Sequence, residues 1–222
     1  MRDTGTTVRF WPEAKYFDSP KFSLRALKHA LNAKAVLSAG LKISFHDEDS
    51  GETLVWQFEN GLLDYLKDEL DGREIVPAEP FVAVASVERA HCEFAICWNV
   101  EGGEQIQESY VNLIPTSAGG THDSGLRDGL FQAVKGFIEL HALLPKGVKL
   151  LPEDVFARAS YVLSAKVLDP QFQGQVKERL NSRDAVRLVS AYVKPALELW
   201  LNQHVDYGRK LAELAIKAAQ TR

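Results

Sequence analysis

Apolar positions along this chain change period several times, and each change marks an element. Leu24, Leu27, Leu31 and Ala35 recur at three- and four-residue steps behind Ser23, whose hydroxyl can cap a helix start, so a helix is predicted up to Gly40 with Arg25, Lys28 and Lys34 on its wet side. Leu41, Ile43 and Phe45 then alternate with Lys42, Ser44 and His46, and Asp49-Ser50-Gly51 supplies turn residues before Thr53 to Phe58, which predicts a β-hairpin. Helical spacing returns at Leu62, Leu63, Leu66 and Leu70, and the proline-containing stretch Asp71 to Pro80 reads as an irregular connection. Phe81 to Val87, Glu93 to Val100 and Ile106 to Ile114 read as three strands joined by short polar turns, an arrangement that predicts an antiparallel meander. Near the amino end, Thr6 to Trp11 is β-branched and aromatic between Gly5 and Pro12; this strand has little before it to pair with, so an upstream domain is expected.

The second half begins with a diglycine turn, Gly119-Gly120, into a helix that Thr121 or Asp123 can cap and that runs to about Leu144, with Leu130, Val134, Phe137, Ile138 and His141 or Leu140 on its packed side. Pro152 to Arg158 is a short helical turn, and Tyr161 to Leu168 is a strand. The polar stretch Asp169 to Leu180, DPQFQGQVKERL, is punctuated by Pro170 and Gly174 and reads as a loop. Beyond it Val186, Val189, Val193, Ala196, Leu197 and Trp200 form one helical stripe, and Arg183, Arg187 and Lys194 form another. Pro195 must kink this helix or start a new one, with Gly208 a weaker second break.

Composition adds limits. With 222 residues, 45% hydrophobic and 25% charged, the chain suits one or two globular domains. No apolar run is long enough to span a bilayer and the amino terminus lacks the pattern of a secretory signal, so no membrane association and a cytoplasmic location are expected. Cys92 and Cys97 are an odd number of residues apart in a strand and point to opposite faces, and the six histidines show neither HExxH nor zinc-finger spacing, so no metal site is expected. Charge is segregated: residues 47 to 108 carry sixteen acidic side chains against three basic, residues 171 to 222 nine basic against five acidic. The basic end is suited to phosphate, although a solvated face gives the same count.

Candidate chemistry concentrates at two places. Lys177, with Gln175 two residues before it, falls on the loop from Asp169 to Leu180, where a projecting side chain can act or simply be solvated. The diglycine turn can present free amides to an anion, and His122 beside Asp123 invites a catalytic pair. Neighbouring side chains at a helix start do not face one another and no nucleophile is matched to them, so capping is favoured and no catalytic residue is assigned. Neither GxxxxGK[ST] nor GxGxxG occurs, which argues against a nucleotide site contained wholly in the chain.

Five segments in order, GTTVRFWP (Gly5 to Pro12), FSLRALKHALNAKAVLSAG (Phe22 to Gly40), ESYVNLIPTSAGGTH (Glu108 to His122), LPKGVKL (Leu144 to Leu150) and DPQFQGQVKERL, resemble the transducer region of the B subunits of bacterial type II DNA topoisomerases, topoisomerase IV more than its paralogue DNA gyrase. The resemblance implies an α+β fold, a two-layer sandwich with helices on a mixed β-sheet followed by a long C-terminal helix. It implies residues 1–12 as the last strand of a GHKL-type ATPase domain, 13–180 as the transducer domain, and 181–222 as a helical segment leading toward a cleavage domain. In that family a Gln-Thr-Lys motif reaches into the ATPase domain and its lysine touches the terminal phosphate of ATP. Gln175, Val176 and Lys177 match it here, with valine in place of threonine. ATP and Mg2+ are then cofactors of the full-length protein, neither held wholly by this chain. DNA, a second copy of the same protein and the A subunit of topoisomerase IV are the implied partners, with Arg183, Arg187 and Lys194 as candidates for facing DNA. Three alternatives stand outside topoisomerase IV: a gyrase transducer, a non-enzymatic nucleic-acid-binding module suggested by the basic tail, and a small-molecule kinase suggested by the glycine turn.

Overall fold

The structure, a computed structural model, describes residues 5–6, 12–87 and 90–222. Ser23 caps the first helix as its position predicts: its Oγ accepts from the Ala26 amide at 3.3 Å, and α1 runs Leu24–Val36. The hairpin follows, β1 (Ile43–His46) antiparallel to β2 (Thr53–Trp56) with Ile43 opposite Trp56, and then α2 (Leu62–Glu69). The strand expected at Thr6 to Trp11 lies, apart from Thr6, outside the described residues.

The main sheet has five strands, β3 (Ile75–Val87), β4 (Ala90–Asn99), β5 (Gln107–Val111), β6 (Ile114–Pro115) and β7 (Ala159–Val167), in the order β3-β4-β7-β5-β6. Two expectations are corrected here. The stretch before Phe81 is not irregular throughout, because Ile75 and Val76 already pair with Asn99 and Trp98. The register shifts between Val76 and Phe81, where Pro77 and Pro80 have no amide hydrogen to give the ladder. The antiparallel meander is also wrong beyond its first pair: β7 inserts between β4 and β5, antiparallel to β4 with Leu163 opposite Phe94 and parallel to β5 with Leu163 opposite Ser109. A parallel pair needs a long crossover, supplied by α3 (Thr121–Leu140) and α4 (Pro152–Phe156). The apolar run of β7, buried from Ala159 to Ala165, is what a central strand requires.

Helices pack on this mixed sheet, as expected for the α+β class, and they cover both faces. The larger core lies on the face of Phe94, Ile96, Trp98, Tyr161 and Leu163. Against it pack α3, α4, α5 (Arg183–Gln203) and α6 (Val205–Thr221). Ala95, Cys97 and Val162 point the other way, into a smaller core with Val36, Leu62, Tyr65 and Leu66 of α1 and α2, which adds a third layer to the two expected. Cys92 and Cys97 accordingly enter different cores, and burial pushes both thiols up to about 12.

The C-terminal segment is two helices where one long helix was expected. Pro195 lies exposed within α5 without ending it, and the break falls at His204, whose backbone (φ −125°, ψ 59°) leaves the helix while its amide and Nδ1 both lie 2.9 Å from the Trp200 carbonyl oxygen. Gly208 is no break; it seats the Phe137 ring against α6. Glycines also set the α3–α5 spacing: a Cβ on Gly125 would stand 2.5 Å from the Val186 carbonyl oxygen, and one on Gly129 2.9 Å from the Val193 Cβ. No helix among the described residues is long and apolar enough to cross a membrane.

Candidate functional site

The stretch after β7 folds into a narrow two-limbed arm. At its base the Gln171 amide donates to Ser182 Oγ at 2.9 Å and the Asn181 amide to the Gln171 carbonyl at 2.7 Å. Farther out the Gln173 amide donates to the Arg179 carbonyl at 2.9 Å, and Phe172 pairs with Leu180 in an antiparallel bridge. Between these limbs the chain turns through Gly174 (φ 82°) and Lys177 (φ 60°). Glycine takes a positive φ freely, whereas at lysine it costs about 1–2 kcal/mol, a local strain that the pinned limbs enforce.

The tip therefore presents the residues singled out from the sequence. Gln175, Val176 and Lys177 are all exposed, Val176 to 76%. The Lys177 ammonium lies 5.9 Å from the centroid of the Phe172 ring and makes no ion pair among the described residues. An extended amide and a cation on a fixed backbone can bind an anion that comes to them, but they do not enclose one.

The diglycine turn has a different role from the anion cradle considered in the sequence. Most of the polar backbone around it is already engaged: Ala118 donates to the Glu178 carbonyl at 3.0 Å, Gly119 to Thr116 at 2.8 Å and Thr121 to Leu180 at 3.0 Å, while Gly119 accepts from the Leu180 amide at 3.2 Å. Arg179 adds a bond from its guanidinium to the Ala118 carbonyl at 3.2 Å. Gly120 forms a parallel bridge with Leu180, whose side chain is buried with Val111 and Ala185. The turn is the seat of the arm.

His122 and Asp123 do not act as a pair, and neither they nor Thr121 cap α3, whose N-cap is Gly120 without a side-chain bond. His122 is fully buried with Nε2 3.0 Å from Thr116 Oγ1, while Thr116 Oγ1 donates to the Ser109 carbonyl at 2.8 Å and lies 2.7 Å from Ser109 Oγ. Nε2 is thus bonded to the Thr116 hydroxyl, and Nδ1 has no partner among the described residues. Burial lowers its pKa to about 4 against the raising effect of Asp123, so the ring is neutral. Asp123 turns instead to Tyr161, whose hydroxyl donates to it at 2.6 Å, and to Arg127 Nε at 3.2 Å. Burial first, and then the Asp123 charge, raise the Tyr161 pKa, so the phenol stays a donor. Sequence spacing gave no sign of the Tyr161 link, because it joins α3 to a strand 38 residues away.

Arg183, Arg187 and Lys194 share one exposed stripe of α5, with Lys194 Nζ 3.8 Å from Glu198. Arg187 also edges a cavity of about 400 Å³ between α5 and the sheet, lined by Ala85, Ala165, Leu188 and Val189. That lining offers no cluster of phosphate donors. No group of three or more His, Cys, Asp or Glu side chains among the described residues could hold a metal ion.

A family model for DNA gyrase B matches residues 61–222. The chain belongs to the DNA gyrase B family. Within the wider group of relatives it is 53% identical over 221 residues to the B subunit of DNA topoisomerase 4 from Pseudomonas aeruginosa, and 49% identical to that of Escherichia coli K12. Each alignment covers 100% of this chain and 35% of the relative, so the chain spans about a third of their length. The topoisomerase IV ATP-binding domain of Francisella tularensis, solved with a small-molecule inhibitor, superposes at a TM-score of 0.81 with 42% identity, covering 96% of this chain and 57% of that one. The 43K ATPase domain of Thermus thermophilus gyrase B superposes at 0.79 with 25% identity, covering 95% and 57%.

Proposed function

We propose that this chain is the energy-coupling, or transducer, segment of a type II DNA topoisomerase, from a B subunit of the topoisomerase IV kind. Residues 13–180 would be the transducer proper, residues 1–12 the last strand of a preceding ATPase domain, and residues 181–222 the helical connection toward a cleavage domain. The observation that carries this reading is the exposed tip, where Gln175 and Lys177 stand on a strained, pinned turn and the lysine, beside the Phe172 ring, makes no ion pair among the described residues.

In this reading Lys177 and Gln175 donate to the terminal phosphate of ATP held in the neighbouring ATPase domain. The fit is that of half a site: a cation and an amide are present, and the enclosing groups lie elsewhere. The residues do not fit Mg2+, since among the described residues no carboxylate cluster accompanies them. A charge-assisted bond from Lys177 contributes roughly 1.5–3 kcal/mol, enough to bias a two-state equilibrium about ten- to a hundredfold while the phosphate is present. That bias, carried by the pinned limbs into the domain, is the coupling between nucleotide state and strand passage.

The remaining partners follow from the same reading: DNA along the basic stripe of α5, a second copy of the same protein in an ATP-gated dimer, and the A subunit of topoisomerase IV, with relaxation and decatenation as activities of the whole enzyme. Identities of 49–53% to topoisomerase 4 B subunits, against 25% to the solved Thermus gyrase domain, favour topoisomerase IV over gyrase. Assay of purified residues 1–222 tests the assignment. The chain alone is expected to neither hydrolyse ATP nor relax supercoiled DNA, and robust ATP turnover by it contradicts the proposal.

A further inference from the structure

The arm touches the rest of the protein through few groups, and one of them is locked from beneath. Leu180 and Glu178 on the returning limb bond to residues 118–121, and the Gly119 amide closes the turn onto the Thr116 carbonyl. Thr116 is in turn fixed on three sides. Its amide donates to the Ser109 carbonyl at 2.8 Å, its hydroxyl donates to the same carbonyl, and that hydroxyl is hydrogen-bonded to His122 Nε2 from the first turn of α3. Both ends of the turn, Thr116 and His122, are thus tied together through one oxygen atom. Thr116 is 3% exposed, His122 0% and Ser109 7%, so water does not compete for these bonds.

A buried histidine that makes one hydrogen bond and leaves Nδ1 unsatisfied is an expensive way to fill space; an apolar side chain would avoid the desolvation. The arrangement makes sense as a brace. Without it, the chain from Thr116 to Gly120 is a turn with positive φ at Gly119 (63°) and Gly120 (138°), residues with little conformational preference of their own.

We propose that His122 is a positioning residue for Lys177: through the Thr116 hydroxyl it fixes the turn on which the arm is seated, and so sets where the lysine at the tip stands. The inference rests on the reading of Lys177 as a phosphate contact only for its functional consequence; the mechanical part, that the brace holds the arm, stands apart from it. His122 touches no phosphate, and its loss acts at a distance.

The test compares His122→Ala, His122→Gln, Thr116→Val and Lys177→Ala. Gln places an amide near the reach of Nε2 and can restore the bond, while Val removes the Thr116 hydroxyl at nearly constant shape. The first measurement is amide hydrogen exchange in residues 1–222. His122→Ala and Thr116→Val are expected to speed exchange at Leu180, Thr121 and Gln173 by about tenfold or more relative to the β4 and β7 amides, with His122→Gln close to the parent. The second is steady-state ATP turnover in a complete protein of this kind carrying this sequence. The brace variants are expected to raise the ATP KM by about three- to tenfold with kcat changed less, again with rescue by Gln.

Unchanged exchange at the arm in both brace variants overturns the proposal, as does exchange that rises equally in β4 and β7, which marks general loss of stability. If the arm loosens but neither the brace variants nor Lys177→Ala alters turnover, the brace stands and the phosphate reading of Lys177 fails. If Lys177→Ala lowers turnover while the brace variants leave KM unchanged, the phosphate reading stands and the positioning role fails.

Discussion

Leu180 occupies the place where a side chain on Gly120 would begin: a Cβ there would stand 2.5 Å from the Leu180 amide nitrogen and 2.9 Å from its Cα. Backbone cannot yield as a side chain can, and Gly120 also holds φ at 138°. Gly120→Ala is therefore expected to lower stability by about 3 kcal/mol. Gly147 separates the two causes, since its φ is 82° but nothing lies within 4 Å of an added Cβ, so Gly147→Ala is expected to cost only about 1 kcal/mol. Urea unfolding of both variants checks this, and equal losses would mean that the close approach contributes nothing.

The α3–α5 seam gives a prediction of opposite signs on one helix. Ala is about 1 kcal/mol better than Gly in a helix interior. At Gly136, where the nearest atom to an added Cβ is Glu198 Oε1 at 3.6 Å, that gain is available and Gly136→Ala should stabilise by about 0.5–1 kcal/mol. At Gly129 the added Cβ meets Val193 Cβ at 2.9 Å and the Lys194 amide nitrogen at 3.1 Å, so Gly129→Ala should destabilise by about 1–3 kcal/mol despite the same propensity gain. Paired thermal melts decide it.

Buried His122 makes stability fall on acidification. The folded ring titrates near 4 and the unfolded one near its ordinary 6.5, so below about pH 6.5 the unfolded chain takes up a proton that the folded chain refuses. This contribution is fully present above 6.5, falls progressively toward 4, and is constant below. Between pH 7 and 5 it amounts to about 2 kcal/mol. His122→Gln should flatten the pH dependence of urea unfolding by that amount, and parallel curves would show that the ring titrates normally.

Much of this fold is legible in the chain because its elements are local. The Ser23 cap, the hairpin across Asp49-Ser50-Gly51 and the apolar stripe of α5 are read from residues within one or two turns of each other. The insertion of β7 between β4 and β5 was not legible, since β5 pairs with a strand some fifty residues later and its own pattern carries no record of that partner. The break at His204 was missed for a related reason: Pro195 is tolerated on the solvent side of α5, while His204 leaves the helix by contacts to Trp200 that periodicity does not encode. At the site, the exposed turn bearing Gln175 and Lys177 is legible from Pro170 and Gly174, whereas a phosphate as their target comes only from the resemblance. The seat of that turn is not legible, because a glycine chosen for close approach to Leu180 looks in sequence like a glycine chosen for a turn.

The basic stripe makes a claim about DNA. Arg183 and Arg187 are exposed on one face of α5, and phosphate contacts need cations without base-specific geometry. Reversal of both to glutamate in the complete protein is expected to weaken DNA stimulation of ATP turnover by about tenfold at low salt and to reduce its salt dependence. Stimulation that keeps the parental strength and salt slope would make the stripe a solvated face.

The central claim is that Lys177 senses the terminal phosphate of ATP from outside the nucleotide domain. It is tested most directly by steady-state ATP turnover and strand passage of the complete protein carrying Lys177→Ala, assembled into the whole enzyme. Because Lys177 is exposed at the arm tip, the substitution should leave the melting temperature nearly unchanged while turnover falls about tenfold or more and strand passage falls with it. Turnover and passage equal to those of the parent would contradict the account.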